Sequence, residues 1–262
     1  MEHLTPSKMC SVIAIAGKGG VGKSALTAMM VKILSRENKF KILAIDADPA
    51  MGLADALGVE VHGTIADVSD KMQGNPRFRK KTESSHIKDV IWDVIQREHG
   101  FYFLSMGHDE GPGCLCKVNS LLKYGISSVS KDVDVIFIDC EAGIEQMKRR
   151  VLDRINFLMG VTDVSARGFR VADLLKRIAF TNDQKTKPCD MGLVINKVRH
   201  EAVDIQQLSK KSDIRIIGCV PEDENIFEHD FTGRPLLQLP DDSPAIVATV
   251  KILREINNGG YF

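Results

Sequence analysis

Eight residues near the start of the chain, Gly17-Lys18-Gly19-Gly20-Val21-Gly22-Lys23-Ser24, have the types and spacing to grip a phosphate. They fit the pattern G-x-x-x-x-G-K-[ST], behind an apolar run that reads as a strand and ahead of a stretch that reads as a helix. Glycines let such a loop curl until successive N–H groups converge on phosphate oxygens. The helix N-terminus behind it adds partial positive charge. Lys23 is expected to reach the β- and γ-phosphates and Ser24 to ligate Mg²⁺, with Gly17 through Ala25 as the nucleotide contacts. Two apolar stretches farther on end in carboxylates: KILAIDADPA supplies Asp46 and Asp48, and DVIFIDCEAG supplies Asp139. A second kind of chemistry sits in GPGCLCKVNS, where Cys114 and Cys116 lie one residue apart behind Gly-Pro-Gly. A closed tetrahedral thiolate site wants four sulfurs, and one chain offers two here.

These residues must be carried by a scaffold, and the hydrophobic pattern describes it. Strands are expected at 11–16, 41–46, 101–106, 134–139, 155–161, 191–196 and 215–220. They are near-continuous apolar runs, as strands buried on both faces are. Helical patterns lie between them, at 23–38, 166–180 and 243–256, and another is expected to begin near Lys117. In the 243–256 helix, Ser243 and Pro244 read as an N-cap and first-turn pair. Strand alternating with helix predicts an α/β fold: a mostly parallel, twisted sheet of seven or eight strands with helices on both faces. Residues 70–100, with the basic run RFRKK and the lone Trp92, read as a solvated insertion with a helix near 87–98. No Pro/Gly/Ser-rich linker divides the chain, so residues 1–262 are expected to form a single domain.

Composition narrows the function. The 262 residues hold 35 Lys plus Arg against 35 Asp plus Glu, so net charge lends no support to nucleic-acid or membrane-surface binding. The first apolar run, VIAIAG, is too short for a signal peptide core or a span. A cytoplasmic protein is expected, in which the six cysteines stay reduced and serve as metal ligands, redox groups or core fillers.

The second residue of the loop carries a resemblance. GKGGVGKS, with Lys18 directly after the first glycine, resembles the deviant P-loop ATPases that include MinD, the nitrogenase iron protein and ParA. The resemblance implies an ATP-dependent homodimer in which Lys18 reaches the partner's nucleotide. It implies that Asp48 orients or activates the attacking water, with Asp46 structural or in the outer shell of Mg²⁺. It implies that Asp139 holds magnesium through water and that the Gly143 backbone senses the γ-phosphate. VINKV resembles the segment that recognises adenine, which makes Asn196 the base reader with Lys197 beside it, and Pro221 resembles the loop that closes over the base.

Within that family the remaining motifs discriminate. The end VKILREINNGGYF has two basic residues and reads as a core helix with a frayed tail, unlike a basic amphipathic membrane anchor. No cysteine follows Asp139 at the later position used by the nitrogenase iron protein, and there is no C-x-x-C near the C-terminus. The run GPGCLCKVNSLLK followed by IDCEAGIEQ is similar to the CooC-type ATPases that mature carbon monoxide dehydrogenase and their relatives serving acetyl-CoA synthase. That similarity implies four thiolates, Cys114 and Cys116 from each of two subunits, converging on a two-fold axis to hold Ni²⁺ or Zn²⁺. Thiols just before a helix should have a lowered pKa, favouring the thiolate. His108, Asp109 and Glu110 read as a polar loop, Cys140 as core, and Cys10, Cys189 and Cys219 as core or incidental. The alternative is an ATP-regulated switch of the MinD type that uses the cysteines for an iron–sulfur cluster or structural zinc.

Overall fold

The computed structural model describes residues 10–74, 87–107, 116–140, 155–180, 188–199, 210 and 212–262. Among the described residues eight strands form one sheet: β1 (Ser11–Gly17), β2 (Ile42–Ala47), β3 (Gln96–Glu98), β4 (Phe101–Ser105), β5 (Val135–Cys140), β6 (Phe157–Thr162), β7 (Asp190–Val198) and β8 (Ile216–Pro221). Their order across the sheet is β3-β4-β2-β5-β1-β6-β7-β8. Every pairing is parallel except β3 with β4. All seven strands expected from the apolar runs form.

The helices are α1 (Lys23–Arg36), α2 (Gly52–Leu57), α3 (Ile65–Gly74), α4 (Ile87–Trp92), α5 (Cys116–Val129), α6 (Ala166–Phe180), α7 (Glu224–Thr232) and α8 (Pro244–Asn258). Alternation along β1 divides the core. Ile13 and Ile15 point to a layer built with α1, α2 and α8, whereas Val12, Ala14 and Ala16 point to a layer built with α3, α4, α5 and α6. Both faces are covered, which is why the strands read as unbroken apolar runs.

Three expectations need correction. The helix near 87–98 ends at Trp92, and residues 96–98 become β3. Gly100, at φ 91°, turns the chain so that Glu98 pairs with Phe101 and Gln96 with Phe103. The backbone hydrogen bonds available on the edge of β4 outweigh the helical pattern there. The C-terminal tail is docked rather than frayed: Phe262 is buried against Phe40, and Tyr261 donates to Asp190 Oδ2 at 3.1 Å. Ser243 occupies the N-cap position with Pro244 behind it, but its side chain makes no cap bond to its own helix.

Asp223 supplies that cap instead. One carboxylate oxygen accepts from Ala245 N at 2.9 Å and from the Ser243 hydroxyl; the other accepts from Asn225 N at 2.9 Å. A single buried side chain thus caps α7 and α8 together. Asp223→Ala is expected to cost about 2 kcal/mol, two caps at roughly 1 kcal/mol each. Urea denaturation of the two proteins measures this; an unchanged midpoint contradicts it.

Candidate functional site

The site lies along the edge of the sheet where the parallel strands end. β1 runs out at Gly17, and the chain turns through the glycine loop into α1 at Lys23. Gly22 sits at φ 88°, and a Cβ there would come within 2.4 Å of Asn196 Nδ2. The loop leans on the end of β7 at that point. Asn196 Nδ2 donates to Val21 O at 2.8 Å, and Lys197 Nζ donates to Gly20 O at 2.9 Å. Lys197 takes a left-handed backbone, φ 57°, which is costly for a side chain with a Cβ. Both residues expected to contact the base therefore also brace the phosphate loop from behind. Pro221 ends β8, half-buried.

Lys23 is 7% exposed, its Nζ 3.5 Å from Lys18 O. A buried ammonium folded over its own loop is poised for an anion. Lys18 is half-buried at the start of the loop. Its charge acts on Asp163, whose carboxyl is held below the usual carboxylate range chiefly by the Ser165 hydroxyl, with Lys18 adding to it. Asp163 was not singled out in the sequence, although Asp163-Val164-Ser165 ahead of a helix is a cap signature that could have found it.

The three acidic residues separate by environment. Asp46 is fully buried at the end of β2 and accepts from Leu53 N at 2.9 Å, Ala54 N at 3.1 Å and Asp48 N at 3.1 Å. It orders the turn into α2. Asp48 is half-buried, its Oδ1 accepting from Ala50 N at 2.9 Å. Asp139, 1% exposed at the end of β5, lies beside the Ser24 hydroxyl and in the field of Lys23. Its Oδ1 is buried without a hydrogen-bond partner. An orphaned buried carboxylate oxygen next to a serine hydroxyl and a phosphate loop fits the donor set of a hydrated Mg²⁺. Burial pushes both acids up, Asp46 to about 7 with the Asp139 charge adding, and Asp139 to about 6.

A cleft of about 610 Å³ opens beside Ser24 and Ala25, bounded by Gly52 of α2, by His229 of α7 and by Arg234. Gly52, His229 and Arg234 were not flagged in the sequence. Cys116 is the first residue of α5, one residue before the expected start. Cys114, Gly143 and the His108–Glu110 loop lie outside the described residues. Cys140 is buried in the core, its thiol pushed up by burial, as expected; Cys10 and Cys219 are half-buried and Cys189 is exposed. Among the described residues no group of three or more His, Cys, Asp or Glu is arranged to hold a metal.

Comparison with known proteins agrees with this geometry. Residues 12–236 match the CobQ/CobB/MinD/ParA nucleotide binding domain. The chain belongs to this family. It is a P-loop ATPase by that membership, and its relatives fill in the picture. An uncharacterized ATP-binding protein of Methanocaldococcus jannaschii is 33% identical over 252 residues, covering 94% of this chain and 98% of that protein. The carbon monoxide dehydrogenase accessory protein CooC of Rhodospirillum rubrum is 29% identical over 255 residues, covering 89% of this chain and 90% of that one. The MinD cell division protein of Aquifex aeolicus superimposes with a TM-score of 0.72 at 21% identity, covering 95% of this chain and 97% of that one. That likeness shows the fold.

Two predictions follow from the loop and the acids. Gly22→Ala drives a methyl into the Asn196 amide and is expected to weaken Mg-ATP binding by at least about tenfold by calorimetry. Wild-type affinity would contradict the bracing role. The second concerns pH. Asp46 and Asp139 titrate higher in the fold than in the unfolded chain, where the ordinary value is 3.8. The folded protein therefore holds more protons through that window, and their contribution to stability falls as pH rises toward 7. Melting of the nucleotide-free protein is expected to shift down between about pH 5 and 7.5, and Mg-ADP is expected to narrow the difference. A rising melting temperature over the same window contradicts it.

Proposed function

We propose that this ATPase is a nickel metallochaperone, a soluble cytoplasmic homodimer that loads Ni²⁺ into carbon monoxide dehydrogenase or a related acetyl-CoA synthase. The observation that carries the reading is the coincidence, in one chain similar to CooC over nearly its full length, of the extra Lys18 with Cys114-x-Cys116. Each subunit contributes the two thiolates, and the pair of subunits completes a four-sulfur site for Ni²⁺ or Zn²⁺. The cargo metal is a substrate of the cycle.

The chain's own residues divide the remaining work. The loop from Gly17 to Ala25 cradles the phosphates. Lys23 neutralises the β- and γ-phosphates, and Lys18 reaches toward the partner's nucleotide. Ser24, and Asp139 through water, would hold Mg²⁺, which would offset phosphate charge. Asp48 holds the attacking water in line. Gly143 reports the γ-phosphate through its backbone. Asn196, Lys197 and Pro221 frame the adenine. Metal and nucleotide act on one interface, so the closed and relaxed dimers differ in metal affinity, which is what coupling requires.

Light scattering with metal analysis on the same samples tests this. Nickel is expected to give a dimer with about one metal per two chains. Cys114→Ser/Cys116→Ser is expected to lose that dimer and its nickel while still binding Mg-ATP. Stoichiometric nickel retained by the double variant contradicts the site. A brown, iron-containing dimer, or zinc indifferent to ATP, would instead establish the cluster-bearing or structural-zinc switch.

A further inference from the structure

The most exposed large apolar side chains described in the molecule are Phe227 and Phe231, 72% and 80% accessible. They stand one turn apart on α7 and stack on each other, ring centroids 6.1 Å apart and planes at 13°. The opposite side of the helix is anchored: His229 is buried with Nδ1 3.0 Å from Pro235 O, and Asp223 caps the first turn. The pair is thus held outward on a fixed helix. Its surroundings are acidic. Glu224 lies on the same stripe, exposed, and Glu228 beside it is paired with Arg234 at 2.5 Å. A stacked aromatic pair in an acidic rim is mismatched to an anionic membrane or a nucleic acid and matched to a basic, partly apolar protein surface.

The chain carries such a surface itself. On α6, Arg167, Arg170 and Leu174 are exposed and, at spacings of three and four, share one face; exposed Val164 precedes them. Guanidinium groups over phenyl faces, a leucine against the same rings and arginine against Glu224 make a chemically complementary set.

The topology lets two copies meet this way twice. α6 leaves the end of β6 and α7 leaves the end of β8, so both start at the sheet edge that carries the phosphate loop. They lie on opposite faces: α6 packs into the layer of Val12 and Ala14, and α7 packs through Ile226 onto the layer of α1. Let two copies face each other by that edge, with a two-fold axis running across the strands in the plane of the sheet. The rotation carries the back layer of one copy to the front of the other. The same rotation keeps lateral positions, so α6, leaving β6, comes to the same side as the partner's α7, which runs from the end of β8 back toward Ser24 and Gly52, and the two-fold repeats the contact.

We infer that the occupant of the Phe227/Phe231 patch is the α6 stripe of a second copy of this chain, forming two equivalent flanks of the nucleotide-bound dimer. The inference rests on the reading of the protein as a nucleotide-linked homodimer, and it adds an interface that involves neither the cysteines nor Lys18.

Sedimentation equilibrium with Mg²⁺ and a non-hydrolysable ATP analogue tests it by charge exchange. Glu224→Arg and Arg170→Glu are each expected to weaken the homodimer about tenfold or more, because each places like charges together at both flanks. An equimolar mixture of the two variants is expected to dimerise with nearly wild-type affinity. In the mixed dimer one flank is the swapped pair and the other is the original pair. Phe227→Ser/Phe231→Ser is expected to weaken dimerisation with no rescue by either charge variant. Variants that dimerise like wild type, or a mixture no tighter than the single variants, overturn the inference while leaving the metallochaperone reading standing. A wild-type chain that stays monomeric with the analogue and with nickel overturns both.

Discussion

A loop that aims its N–H groups at a phosphate turns its carbonyls the other way, and those carbonyls need donors. Here the end of β7 supplies them. Asn196 meets Val21 O and Lys197 meets Gly20 O, and Gly22 leaves room for the Asn196 amide to approach. The rest of the site depends on this brace, because an unsupported loop would lose the convergence of donors that makes it bind anions. The left-handed backbone at Lys197 is strain accepted to aim one ammonium at one carbonyl.

Around the brace, buried charge is distributed with purpose. Asp46 is saturated by three backbone N–H groups and sets the turn toward Asp48 and α2. Asp139 keeps one oxygen without a partner beside Ser24 and Lys23. The saturated acid builds the scaffold, and the other keeps an acceptor oxygen free beside the phosphate loop. Burial is the main cause of their raised affinities for protons, yet the consequences differ: Asp46 spends its charge on three backbone N–H groups, whereas Asp139 has the Ser24 hydroxyl and one oxygen left over.

The chemistry of the loop was readable from residue types, since only glycines, a lysine and a serine in that spacing make such a cradle. The sheet was readable because both faces are covered and every parallel strand is an apolar run. What the sequence left dark depends on contacts between distant segments. β3 exists because β4 has an open edge, a fact about neighbours rather than propensity. The cap of α8 comes from Asp223, 22 residues upstream of the Ala245 N–H it accepts. Asn196 is positioned to brace a loop 175 residues earlier in the chain. The aromatic pair on α7 has ordinary helical spacing, and only its exposure distinguishes it from core.

The central claim is that nucleotide and metal share one interface, and linkage makes it measurable in one titration. Nickel affinity, determined by competition with a colorimetric chelator, would be compared with ADP bound and with a non-hydrolysable ATP analogue bound. The account predicts dissociation constants that differ by about tenfold or more, with the same ratio appearing when analogue affinity is measured with and without nickel. Equal nickel affinities in the two nucleotide states would contradict it, since a metal that binds both states alike cannot be moved by ATP.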